Sequence, residues 1–194
     1  IMINQKSISI RFNELFAVSL ITLLPLTIFI GSSVMNFTVI LLDLVFLFEI
    51  FKKKKLNFLK NNTFYFLIFL WFVLIANLIF VSIDPSRSLL RTVGFFRFII
   101  FIFALKYFFE INNSSYREKI FKIWTIFFII VSIDLVYEFF IGQNLFGWKA
   151  ELPGRLVGFF QDEMKIGHFY SAFILISLIT VDKVLNSPLL NKKS

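Results

Sequence analysis

The sequence predicts an all-α fold, a polytopic integral membrane helix bundle of about six transmembrane helices. Composition is the first reason: 58% of the 194 residues are hydrophobic and 16% are charged, whereas soluble domains are about 45–50% apolar and about 25% charged. Six apolar runs also approach or reach the roughly 20 residues that a membrane-crossing helix needs. Seven glycines and four prolines are few, which favours long, uninterrupted helices.

The predicted spans are separated by short polar connections, except before the last one. They cover residues 14–30, 34–51, 64–83, 89–109, 120–141 and 166–185. Residues 142–165 contain four glycines and a proline and are expected to form an irregular outer loop. No repeat or linker divides the chain. Residues 1–194 are therefore expected to form a single transmembrane helical domain, the amino-terminal fragment of a longer membrane protein.

The basic residues predict the orientation of the chain. The formal net charge is +8, but the cations lie in short loops and form no stripe, which favours a lipid bilayer over nucleic acid as the partner. The loops expected to be cytoplasmic hold Lys6, Arg11, Lys52 to Lys55, Lys60, Lys106, Arg117, Lys119, Lys122, Lys183, Lys192 and Lys193. The opposite loops hold Arg87, Arg91, Lys149, Arg155 and Lys165. Because cytoplasmic loops carry the excess of Lys and Arg, both ends of this chain are expected inside.

Several kinds of catalytic and metal site are excluded by residue type alone. The chain has no cysteine and one histidine, which removes thiolate ligands, Cys nucleophiles and His clusters. It also lacks a DxD-type outer loop, a Walker loop and a GxSxG elbow. No metal and no cofactor are expected, and the sequence assigns no catalytic residue.

Charged residues inside predicted spans are candidates for function, because such charges are costly and usually face a bundle interior or a wet cavity. Asp43, Arg97, Asp134 and Glu138 are of this kind. Asp134 and Glu138 are four residues apart and share a helix face, so we expect Arg97 to pair with one of them. This network either relays an ion or substrate or only joins helices. Glu49, beside the lysine run, is predicted to be a snorkelling or surface charge.

The end of the outer loop combines an arginine, two carboxylates and glycines directly before a span. Arg155 offers a planar fork that binds phosphate in a bidentate manner, and Gly158 lets the backbone approach a ligand. The alternative is an ordinary solvated loop with a salt bridge. His168, alone at a helix start, is interpreted as a capping or interfacial residue rather than a catalyst.

Residues 154–167, GRLVGFFQDEMKIG, carry the pattern Arg-x-x-Gly-x-Phe-x-Asp-Glu-x-x-x-Gly. This pattern resembles a signature that precedes a span in the O-antigen ligase/polymerase family of bacterial polytopic membrane proteins. The preceding stretch 137–147, YEFFIGQNLFG, and the stretch 91–98, RTVGFFRF, are also similar to that family. The resemblance covers the whole chain as the amino-terminal half of such a protein.

The resemblance implies a function and a location. Family members are metal-independent membrane glycosyltransferases of the bacterial inner membrane that transfer polyprenyl-diphosphate-linked glycan on its outer face in lipopolysaccharide biosynthesis. The residues thereby assigned to the substrate diphosphate are Arg155, Arg91 and Arg97. The residues expected to orient the loop are Asp162, Glu163 and Gly158. A large outer loop in the second half of the family, with a catalytic His in the ligases, is not within this chain, so these residues alone are expected to be inactive.

Two alternative functions, from other classes of membrane protein, remain open. In the first, Arg97, Asp134 and Glu138 belong to a transporter or channel, although the chain lacks the matched Gly/Pro-broken spans typical of one. In the second, the chain is a non-catalytic membrane assembly partner.

Overall fold

The computed structural model describes residues 2–54, 60–111, 114–149, 154–160 and 165–186. These residues form helices and connecting segments, with no β-strand among them. The α-helices are α1 (Met2–Thr22), α2 (Leu24–Ile30), α3 (Ser32–Lys53), α4 (Asn62–Phe80), α5 (Pro85–Ile111), α6 (Ser114–Ile141) and α7 (Ile166–Leu185). A 3-10 turn, Gly158–Phe160, lies in the loop between α6 and α7. The predicted all-α membrane helix bundle is confirmed.

Five helices within the described residues are long and apolar enough to cross a membrane, namely α3 to α7. The first predicted span is instead a bent pair, α1 and α2, which raises the number to six if the pair crosses as one span. Pro25 lies in the first turn of α2. A proline there removes a backbone donor and clashes with the preceding turn of a continuous helix, which explains the break at Leu23.

The described residues fall into two compact units, the first within Ile1–Ile21 and Asn36–Ile111 and the second within Thr22–Met35 and Asn112–Ser194. The prediction of one domain for residues 1–194 stays a prediction. In the first unit α4 packs on α5, and the Trp71 indole donates to the Thr92 carbonyl oxygen at 2.9 Å. Of the residues in α4, all of them described, Leu78 alone is buried. The exposed surface of α4 is therefore apolar, which suits contact with lipid.

Glu49 corrects the prediction of a snorkelling or surface charge. It has no solvent exposure, because its position on α3 continues the stripe of buried residues that includes Phe46 and Ile50. Its carboxylate forms an ion pair with Lys53 Nζ at 2.9 Å and accepts a hydrogen bond from Asn13 Nδ2 at 2.8 Å. The anion is therefore tied to α1 and to its own helix.

The second unit is built on α6 and α7, which pack along each other and receive α2 and the 3-10 turn at one end. Aromatic rings fill the junction. Phe160 is 5.2 Å from Phe29 and 5.5 Å from Phe169 between ring centroids, and Phe29 is 5.3 Å from Phe169. Tilted aromatic pairs stabilise packing beyond the effect of burying their rings. The turn is therefore anchored between α2 and α7.

The orientation can be tested with single cysteines, since the natural chain has none. Lys54→Cys and Lys149→Cys place thiols at two exposed positions in loops predicted on opposite sides. In intact cells a membrane-impermeant thiol reagent should label position 149 and spare position 54 until the membrane is permeabilised. The reverse pattern would invert the predicted topology.

Candidate functional site

A buried carboxylate at the end of α6 holds the backbone of the loop between α6 and α7. Glu138 Oε2 accepts the Gly158 N–H at 2.7 Å. The Val157 N–H is shared between both carboxylate oxygens, at 3.0 Å and 3.1 Å. Glu138 is 3% exposed, so these charge-assisted bonds form away from water, where they are strong. We call Glu138, Val157 and Gly158 the carboxylate clamp.

The clamp requires a glycine at position 158. Gly158 has a φ of +53°, in the left-handed region that favours glycine. A Cβ there would lie 3.0 Å from Leu135 Cδ2 and 3.4 Å from Asp134 Oδ2. The absence of a side chain thus lets the loop backbone approach α6 closely enough to reach Glu138.

Asp134 and Asn144 hold the first half of the same loop. Asp134, fully buried, accepts the Leu145 N–H at 2.8 Å through Oδ1. Asn144 is 1% exposed. Its side-chain oxygen accepts the N–H groups of Phe146 and Trp148 at 3.0 Å and 2.8 Å, and its amide donates to the Gly158 carbonyl oxygen at 2.6 Å. Asn144 therefore joins the two halves of the loop.

Arg155 lies three residues before Gly158, close in sequence to the backbone that Glu138 holds. It is half-buried, and among the residues that the structure describes its guanidinium has no hydrogen-bond or ion-pair partner. Asp162 and Glu163, predicted to orient it, lie outside the described residues. The salt bridge of the solvated-loop alternative thus stays a prediction.

An apolar groove lies between α6, α7 and the segment that follows Arg155. Its volume is about 420 Å³, and Leu156, the next residue, is part of its lining. The rest of the lining comes from α6 and α7: Ser132, Leu135, Val136, Phe139, Phe140 and Tyr170. The Ser132 and Tyr170 hydroxyls hydrogen-bond each other at 2.7 Å. The groove therefore presents mostly carbon to a ligand, and Arg155 directly precedes its lining residue Leu156 in the chain.

Arg91 and Arg97 belong to the first unit and Arg155 to the second, so a cavity shared by all three stays a prediction. Arg91 is exposed. Arg97 is part-buried and donates to Asn36 Oδ1 on α3 at 2.7 Å, and it is the charged neighbour of the buried Asp43. Its pairing with Asp134 or Glu138 likewise stays a prediction.

The start of α7 carries two further titratable residues. His168 is exposed in the first turn, and its interpretation as a capping or interfacial residue stays a prediction. Lys165 precedes the helix, and burial lowers the pKa of its ammonium. Neither residue lines the groove that contains Leu156.

No family model, no curated protein and no solved structure matches the chain. The resemblance of residues 154–167 therefore has no second line of support from known proteins. Within the stretch that carries the resemblance, the structure shows Glu138 bound to the backbone N–H groups of Val157 and Gly158, whereas the charge pattern predicts a pairing of Glu138 with Arg97. Asn144 was not singled out, although an asparagine three residues before a glycine is a common turn signal.

Proposed function

We propose that the chain belongs to a membrane glycan ligase or polymerase that transfers polyprenyl-diphosphate-linked glycan on the outer face of the bacterial inner membrane. The observation that carries the proposal is the placement of Arg155. The guanidinium of Arg155 has no partner among the described residues, the backbone just after Arg155 is held by Glu138, and the next residue, Leu156, lines a mostly apolar groove. Phosphate with a long hydrocarbon tail is the ligand chemistry that matches the guanidinium and the groove.

The proposed chemistry is stabilisation of a leaving group. When the sugar–phosphate bond breaks, the polyprenyl diphosphate gathers negative charge, and a guanidinium fixed beforehand stabilises it without reorganising. Arg155 supplies this charge, and the groove between α6 and α7 takes the first isoprene units. Arg91 and Arg97 are proposed to contribute further contacts to the diphosphate or glycan. The acceptor and the residue that activates it are expected elsewhere in the full-length protein.

The second candidate, a transporter relay, is less well supported by the contacts. A relay needs carboxylates that exchange protons or ions, whereas Asp134 and Glu138 accept backbone N–H groups of the loop. Those bonds favour a positioning role for both carboxylates.

Arg155→Lys should lower glycan transfer by at least about tenfold, which is about 1.4 kcal/mol in the barrier. The charge is kept, but the planar fork that matches two phosphate oxygens is lost. The measurement is transfer of lipid-linked glycan in cells that carry the full-length protein with the substitution. Arg155→Ala should be at least as impaired.

The matched control is Lys149→Ala, which removes an exposed cation from the same outer loop and should leave transfer near the wild-type rate. Membrane levels of all variants should be equal, because Arg155 makes no described contact that folding requires. Full activity in Arg155→Ala would reject the proposed role.

A further inference from the structure

A second groove lies between α6 and α7, at the opposite end of the helix pair from the carboxylate clamp. Its volume is about 280 Å³. The walls are aliphatic and include Ile126 from α6 and Val181 and Leu185 from α7. α6 begins and α7 ends at this end of the pair. The lysines and arginines near these two helix ends predict that it faces the cytoplasm.

Two threonines in the lining do not make the groove polar. The Thr125 hydroxyl donates to the Phe121 carbonyl oxygen and the Thr180 hydroxyl to the Ile176 carbonyl oxygen, both at 2.7 Å. Each hydroxyl is thus satisfied within its own helix. Apart from Lys122, the lining side chains offer no free donor, which suits a hydrocarbon chain and not a sugar or a peptide backbone.

A single cation marks one end of the lining. Lys122 is exposed, contributes to the groove, and has no ion-pair or hydrogen-bond partner among the described residues. Glu118, four residues earlier on α6, does not pair with it.

We propose that this groove binds an anionic phospholipid of the cytoplasmic leaflet, with an acyl chain between α6 and α7 and the phosphate on Lys122. Charge complementarity favours a phospholipid as the occupant. One lysine in an otherwise carbon-lined groove matches one phosphate followed by one acyl chain. Basic pockets between transmembrane helices on the cytoplasmic side hold anionic headgroups in this way. The inference stands apart from the proposed function, which concerns the other end of the same helices.

The test is native mass spectrometry of the full-length protein, purified in detergent and titrated with dioleoyl phosphatidylglycerol or dioleoyl phosphatidylcholine. The wild-type protein should retain phosphatidylglycerol preferentially. Lys122→Met should reduce that preference about fivefold, the size expected for one lysine near an anionic headgroup. Lys119→Met removes a cation one turn away, which lies over the Tyr116 ring, and should keep the preference.

A second pair of variants tests the groove without changing charge. Val181→Trp fills the slot and should release bound phosphatidylglycerol, whereas Leu178→Trp adds the same ring at an exposed position of α7 outside the lining and should not. Equal losses in Lys119→Met and Lys122→Met would overturn the site in favour of diffuse attraction. Loss of a dimer, rather than of lipid, in Val181→Trp would overturn it in favour of a second copy of the chain.

Discussion

Glu138→Leu is expected to free the loop between α6 and α7 from its contact with α6. The substitution leaves the N–H groups of Val157 and Gly158 buried without an acceptor, and each orphaned group costs about 1–3 kcal/mol. The loss of about 2–6 kcal/mol should appear as faster amide hydrogen exchange at residues 154–160, by at least about tenfold. Glu138→Gln keeps one acceptor oxygen and should fall between the wild type and Glu138→Leu.

The matched control is Glu118→Leu, which removes an exposed glutamate from the other end of the same helix. Its exchange at residues 154–160 should equal that of the wild type. Unchanged exchange in Glu138→Leu would mean that the carboxylate clamp does not hold the loop, and would remove the structural basis for the position of Arg155.

Lys53→Met is expected to lower the free energy of unfolding by about 3–5 kcal/mol, the usual effect of leaving a buried charge without its partner. Glu49 has no solvent exposure and pairs with Lys53 at 2.9 Å. Without Lys53 it would keep the hydrogen bond from the neutral Asn13 amide and the weaker influence of the Lys52 charge. Unfolding by SDS in mixed micelles measures the change. The double variant Lys53→Met with Glu49→Leu should recover most of the loss, because no unpaired charge is then buried.

The comparison for this prediction is an ion pair of the same spacing on a neighbouring helix. Lys106 and Glu110 on α5 are 3.8 Å apart, with side chains 49% and 65% exposed. Lys106→Met should change stability by less than about 1 kcal/mol, as exposed pairs do. Equal effects of Lys53→Met and Lys106→Met would show that the Glu49 pair is not buried in the membrane-embedded protein.

The helices were predictable because a membrane span is determined by local sequence, about 20 consecutive apolar residues. α7 matches its predicted bounds, 166–185, and α6 ends at the predicted Ile141. The break at Leu23 was harder to foresee, since one proline inside an apolar run either kinks a span or ends it. Its outcome depends on what the two halves pack against.

The roles of the buried acids were not predictable in the same way. Glu138 was expected to face another side chain, but its described partners are backbone N–H groups 19 and 20 residues later. Any residue type supplies a backbone N–H, so no pattern of charges reveals the pairing. Glu49 was misjudged because its neighbourhood in sequence, a lysine run, differs from its neighbourhood in space, α1 and the stripe of α3 that includes Phe46.

Binding of a polyprenyl diphosphate at Arg155 is the claim on which the proposed function rests, and photo-crosslinking tests it most directly. The probe is a polyprenyl diphosphate with a diazirine near the diphosphate, added to membranes that carry the full-length protein. Crosslinks should form at the groove that contains Leu156 and Tyr170, should fall at least about tenfold in Arg155→Ala, and should persist in Lys149→Ala. Equal crosslinking of wild type and Arg155→Ala, or equal capture of a polyprenol that lacks the diphosphate, would contradict the account.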